Sequence, residues 1–226
     1  MGGRDAVALD REMIDAVLFD LDGTLMDTDD QIVESLSLWG RRLGWPALDR
    51  GARRIVMAAE TPVNGLVSVL DAVGLDGPLL GLRQRFRRWR GASARRDYRL
   101  MDGARLMLAQ LKQCYQLGVV TTRGRDDALA FLAQHDLVGV FDVVVTRQCT
   151  GRLKPHPEPI LCAANRLGLP VGRCVMVGDT TTDVRSARRA GAKAVAVCCG
   201  FGERGELERA GADVVLEGLS DLLSLL

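Results

Sequence analysis

Apolar residues in this chain come in short blocks, and the spacing inside the blocks changes along its length. Ala16–Phe19 is an unbroken apolar run that ends at Asp20, the form taken by a strand buried on both faces. From Thr28 the period lengthens, and Ile32, Val33, Leu36 and Trp39 share one helical face. Gly44-Trp45-Pro46 breaks that pattern. Helices are predicted over 50–60 and 63–73, then Gly74–Pro78 breaks the chain again, and a further helix spans Leu79 to Trp89. Nothing between 28 and 95 alternates as a strand does. Residues 28–95 therefore read as a helical module inserted directly behind the first strand.

Beyond residue 102 helix and strand alternate. Helices are expected over 103–116 (with Leu106, Leu108, Leu111 and the Ala and Met among them as its apolar positions), 126–135, Glu158–Leu167, Asp183–Ala190 and 203–210. Strands are expected at Leu117–Thr121, Phe141–Val145, Cys174–Val177, Ala194–Cys198 and Asp213–Leu216, with a short helix over Leu219–Leu226. Residues 1–14 carry no clear period. Alternation of this kind predicts an α/β fold, a Rossmann-like parallel sheet with helices on both faces. Right-handed crossovers bring every strand's C-terminal end to one edge, where such sheets bind ligands. Asp20, Thr121 and Asp179 each close a strand and should meet there.

Composition narrows the function classes. The chain has 226 residues, of which 47% are hydrophobic, enough for one full core and a smaller satellite domain. A net charge of +1 provides no global field for nucleic acid or membrane. No apolar run approaches the ~18 residues of a membrane span, and no secretory signal is visible at the N-terminus, so the expectation is a cytoplasmic protein. The six cysteines lack metal-ligand spacing and predict neither zinc nor a disulfide framework; Cys174 and Cys198 read as core thiols. Arginines 83, 85, 87, 88, 90, 95, 96 and 99 surround Phe86 and Trp89. They fall on all sides of a helix, so the plainer reading is a solvated helix, with nucleic-acid contact or a local anion-recruiting surface as the other options.

The chemistry concentrates in Asp20-Leu21-Asp22-Gly23-Thr24-Leu25. Asp20 and Asp22 lie on the same side of an extended chain. Two adjacent carboxylates without a counter-charge repel, and a hard divalent cation such as Mg²⁺ relieves that penalty. The pair suits one ionised nucleophile and one proton-carrying acid. Thr121-Thr122 ends an apolar strand and could hold a phosphoryl oxygen, although a Thr there is more often an N-cap. Lys154 sits in a proline-stiffened loop, Lys154-Pro155-His156-Pro157-Glu158-Pro159. Asp179 ends a strand, and Asp183 follows one helical turn later, where Thr180-x-x-Asp183 also fits a capping box.

Taken in order, these segments resemble the four motifs of the haloacid dehalogenase superfamily, most of whose members are phosphatases. The helical insert corresponds to that family's C1-type cap, so the resemblance implies a catalytic core at 1–27 and 96–226 and a cap at 28–95. It is closest to the phosphoglycolate phosphatase-like group. The resemblance implies Asp20 as nucleophile and Asp22 as general acid and base. Thr121, Thr122 and Lys154 would hold the transferring phosphate, and Mg²⁺ would be bound by Asp20, Asp22 (through its carbonyl), Asp179 and Asp183. The implied partner is a small phosphorylated metabolite, acted on by a monomer or homodimer. A phosphomutase of the β-phosphoglucomutase type, a pyrophosphatase and a non-enzymatic phospho-binding protein remain alternatives. Asp22 argues against a dehalogenase, and the absence of Lys from 28–95 argues against a phosphonatase. A receiver domain lacks both the insert and Asp-x-Asp-Gly-Thr.

Overall fold

The structure is a computed structural model that describes residues 9–27 and 98–226. Its centre is a six-stranded sheet in the order β5-β4-β1-β6-β7-β8, parallel throughout. These strands are β1 (Ala16–Phe19), β4 (Gln116–Val120), β5 (Val143–Val145), β6 (Cys174–Gly178), β7 (Lys193–Val197) and β8 (Val214–Leu216). A separate antiparallel pair, β2 (Met26–Asp27) with β3 (Arg99–Leu100), sits at the mouth of the stretch between residues 27 and 98. Six α-helices follow: α1 (Ala104–Leu111), α2 (Arg125–Gln134), α3 (Glu158–Leu167), α4 (Thr181–Ala190), α5 (Arg204–Ala210) and α6 (Leu222–Leu225).

Strand side chains alternate between two cores. Val17 and Phe19 of β1 join Val119, Val175 and Val197 on one face, covered by Met107 and Leu111 of α1, Phe131 of α2 and Leu222 of α6. Ala16 and Leu18 join Val120, Met176 and Ala196 on the other, under Ile160 of α3, Val184 of α4 and Leu207 of α5. Burial on both faces explains why the strands read as apolar runs. Gly118 fits where Leu18 and Val143 converge: a Cβ there would lie 2.6 Å from a Leu18 methyl carbon. β1 lies between β4 and β6, where the winding reverses direction, the point at whose C-terminal crevice such sheets bind ligands.

Several expectations are corrected. The helix expected over 103–116 stops at Leu111, because Cys114 and Tyr115 turn back to the Leu111 carbonyl and hand the chain to β4. Leu106 is exposed, whereas Ala104, Met107, Leu108 and Leu111 are buried. β5 is shorter than Phe141–Val145; Phe141 instead packs edge-on to Phe19, ring centroids 6.5 Å apart. Cys174 is buried, which pushes its thiol up to about 11, whereas Cys198 is half-buried at the end of β7. All six cysteines are free thiols. The helices expected between 28 and 89 and most of the arginine-rich stretch lie outside the described residues; Arg99 is described and stands 3.8 Å from Asp27. No helix among the described residues is long and apolar enough to cross a membrane.

Candidate active site

Four strand ends build the site. The Asp20 N–H donates to the Val177 carbonyl at 3.0 Å, so the residue continues the β1–β6 ladder and its side chain is fixed in direction. The Thr121 N–H donates to the Val145 carbonyl at 2.9 Å and extends β4 against β5 in the same way. Asp179 follows β6, and the loop after β7 returns over it, with the Gly202 N–H donating to the Asp179 carbonyl at 3.0 Å. The loop is close enough that a Cβ on Gly200 would lie 2.2 Å from Asp179 Oδ2. Gly23, at φ +72°, lies against the same carboxylate at the same notional distance, which requires the left-handed turn of a residue without a Cβ.

Lys154 enters this crevice from its loop and is 4% exposed. Its Nζ donates to the Val120 carbonyl at 3.0 Å and to Asp183 Oδ1 at 2.6 Å. It also lies 2.8 Å from Asp20 Oδ1 as an ion pair, but outside hydrogen-bonding alignment. Asp20 Oδ1 is thus the buried side-chain oxygen that, among the described residues, has no hydrogen-bond partner. Asp183 is held by a capping box: its Oδ2 accepts from the Thr180 N–H at 3.1 Å and the Thr180 hydroxyl at 2.5 Å. Asp179 accepts from the Thr24 hydroxyl at 3.0 Å and from the Phe201 N–H at 2.8 Å.

Asp20, Asp179 and Asp183 offer carboxylate oxygens that all lie within 4.8 Å of one another, all buried. Burial pushes the Asp20 carboxyl up to about 7, against the pull of Lys154, with Asp183 and Asp22 adding repulsion. Burial, followed by Asp183 and Asp20, also raises Asp179 well above the carboxylate range, opposed by its Phe201 and Thr24 donors. Burial works against the Lys154 ammonium, but Asp183 and Asp20 more than offset it and hold its pKa above the ordinary lysine value. Fully ionised, the three carboxylates against one ammonium would leave two negative charges uncompensated, which in the metal-free nest is relieved by protons on Asp20 and Asp179 and which one divalent cation would match. An all-oxygen donor set with an orphaned carboxylate oxygen fits a hard cation.

Asp22 stands apart from that nest. Its carboxylate is gripped at both oxygens by Arg123, Nε to Oδ2 at 2.7 Å and Nη2 to Oδ1. The expected carboxylate pair without counter-charge is therefore resolved into two ion pairs, Asp20 with Lys154 and Asp22 with Arg123. The cleft itself is lined by Asp20, Asp22, Thr122 and Lys154, with Thr180, Thr182 and Phe201 opposite. This constellation can present one carboxylate oxygen to an electrophile, hold an oxyanion on an ammonium and carry a second carboxyl alongside.

The family model of the haloacid dehalogenase-like hydrolases matches residues 17–197. The chain belongs to the haloacid dehalogenase-like hydrolases. A plasmid-borne phosphoglycolate phosphatase of Cupriavidus necator is 32% identical over 225 residues, covering 93% of this chain and 92% of the relative. The pyrophosphatase PpaX of Bacillus mycoides is 33% identical over 214 residues, covering 94% and 97%. Among solved structures, a hydrolase from Pseudomonas syringae is 30% identical with a TM-score of 0.67, covering 93% of this chain and 96% of that one. These relatives make the chain a phosphatase of the phosphoglycolate phosphatase-like group.

Within this haloacid dehalogenase-like hydrolase, all the site residues read from the sequence gather at one sheet edge, in three groups. Asp20, Lys154, Asp179 and Asp183 form the nest. Asp22 and Thr122 line the cleft. Thr121 lies beneath it, 4% exposed, with its Oγ1 accepting from the Arg123 N–H at 3.1 Å. His156 bonds within its own loop, to Arg152 and the Glu158 N–H. Thr24, Phe201 and Arg123 fall at positions to which the sequence motifs assign no role. The signal for Phe201 was present: Gly200-Phe201-Gly202 follows an apolar strand whose end reaches the same edge.

Proposed function

We propose that this phosphatase hydrolyses a small phosphate monoester, phosphoglycolate-like, through an aspartyl-phosphate on Asp20, with residues 28–95 acting as a helical cap over the cleft. The observation that carries the reading is Asp20 itself: a buried carboxylate oxygen, free of hydrogen bonds, at the mouth of a cleft that also holds Lys154 and Asp22. In the first half-reaction an Asp20 oxygen attacks phosphorus in line and the ester oxygen leaves. Asp22 gives that oxygen its proton. In the second, Asp22 takes a proton from water, which attacks phosphorus and returns Asp20 to its carboxylate. Lys154 sets its ammonium against the growing charge of the phosphoryl oxygens, with Thr121 and the Thr122 N–H positioning them. Asp20, Asp179 and Asp183, with the carbonyl of Asp22, would hold Mg²⁺, which when bound supplies further positive charge at the phosphoryl group.

Pyrophosphate is the second reading, supported by the Bacillus mycoides relative named pyrophosphatase. The test is phosphate release from a panel that includes 2-phosphoglycolate and pyrophosphate, with Mg²⁺ and with chelator. Metal-dependent release from the parent, absent in Asp20→Asn with the fold retained, is the expected result. A folded Asp20→Asn protein with substantial Mg²⁺-dependent turnover would falsify the nucleophile assignment.

A further inference from the structure

Both oxygens of the Asp22 carboxylate are committed. They accept from Nε and Nη2 of Arg123 in the two-point fork of a guanidinium–carboxylate pair. A carboxylate engaged in this way accepts at each oxygen and presents no proton to a leaving group. For Asp22 to act as the acid, the pair has to open during turnover. Without Asp22 the largely buried guanidinium would keep only weaker electrostatic influences such as that of Asp127 and lose its hydrogen-bonded carboxylate, which is disfavoured, so a second anion is needed in the place of Asp22 on Arg123.

The surroundings hold Arg123 ready for such an exchange. Its N–H donates to Thr121 Oγ1 at 3.1 Å, and its carbonyl accepts from the Arg147 N–H at 3.2 Å. Its guanidinium carbon lies 5.7 Å from the ring centroid of Tyr98, a cation–π contact. Tyr98 is itself anchored: Gln134 Nε2 donates to its carbonyl at 2.8 Å, His135 Nε2 lies 2.6 Å from the same oxygen, and Phe131 meets its ring edge-on. The guanidinium is thus stationed beside the cleft that Asp22 and Thr122 line, with its side chain 20% exposed.

We propose that Arg123 receives a second anionic group of the substrate, a carboxylate or phosphate on the leaving-group side of the scissile bond, and in doing so releases Asp22. The inference rests on the phosphatase reading above and narrows it to esters or anhydrides whose leaving group is itself anionic. A plain alkyl phosphate offers nothing to exchange for Asp22 and leaves the pair closed.

A matched pair of ligands tests this: 2-phosphoglycolate and ethyl phosphate, which differ by a carboxylate in place of a methyl. Their binding to Asp20→Asn protein is measured by calorimetry with Mg²⁺ present, so that no turnover is needed. The expected result is tighter binding of 2-phosphoglycolate, with the preference reduced by about 10- to 100-fold when Arg123→Gln is added. Arg123→Lys, which keeps the charge without the fork, should retain part of it. No preference in the Asp20→Asn protein, or a preference that survives both Arg123 variants, overturns the assignment. Phosphate release by the parent protein separates the two readings. No release beside an Arg123-dependent binding preference removes the phosphoglycolate-like hydrolysis proposed above and keeps Arg123 as the receiver of a second anionic group. Release from both compounds with no such preference does the reverse.

Discussion

Lys154 is the residue on which the nest depends, because it is the ammonium that answers Asp20 and Asp183 while almost fully buried. Removing one partner from a buried ion network strands the others. Lys154→Met, which keeps the volume, should lower stability by about 3–5 kcal/mol, read as a fall in the urea midpoint, and should abolish phosphate release. An unchanged midpoint would contradict this role. The same nest sets a pH dependence. Asp20 titrates near 7 in the folded chain against 3.8 for the ordinary carboxyl. Between those values the folded state keeps a proton that the unfolded state has lost, so stability of the metal-free protein falls as pH rises through that window. Asp179, also raised, acts in the same direction. A divalent cation competes with those protons, so Mg²⁺ should raise the melting temperature more at about pH 8 than at about pH 5.5. Equal shifts at the two pH values would mean that the cation binds elsewhere.

Among the elements, α4 shows how one local device serves both fold and site. Thr180 caps the helix, and Asp183 at its third position returns the bond, a reciprocal arrangement that satisfies orphan N–H groups. The same two contacts aim Asp183 at Lys154 and the carboxylate oxygens of Asp20 and Asp179. Thr180→Ala should therefore cost about 1 kcal/mol of stability and weaken Mg²⁺ binding as well, while Thr180→Ser preserves both; calorimetric titration with Mg²⁺ separates them. A Thr180→Ala protein with parental Mg²⁺ affinity would show that the cap does not orient Asp183. This box was legible in Thr180-x-x-Asp183, because a capping box is a local pattern. The six sheet strands were legible for a related reason: each is an apolar run, and three end on a site residue. β2 and β3 were not, since two-residue strands carry no period to read. Helix ends were also missed where a turn, as after Leu111, outcompetes the apolar pattern.

At the scale of the whole molecule, the parallel order of the sheet gathers residues from position 20 to position 183 into one crevice. That convergence follows from handedness and strand direction alone, which is why the membership of the site could be read before its geometry. What could not be read is which charge answers which. Arg123 and Asp22 lie 101 positions apart, and no local spacing announces their pairing; the same holds for Thr24 and Phe201 on Asp179. The β2–β3 pair has a consequence at this scale too. It sets Asp27 directly opposite Arg99, so the chain leaves the sheet and rejoins it at a single doorway. The two ends of the stretch between those residues are therefore held side by side by the β2–β3 pairing. In evolutionary terms such neighbouring ends define a cassette site: a segment of a different length can join them without displacing Asp20 or Asp22.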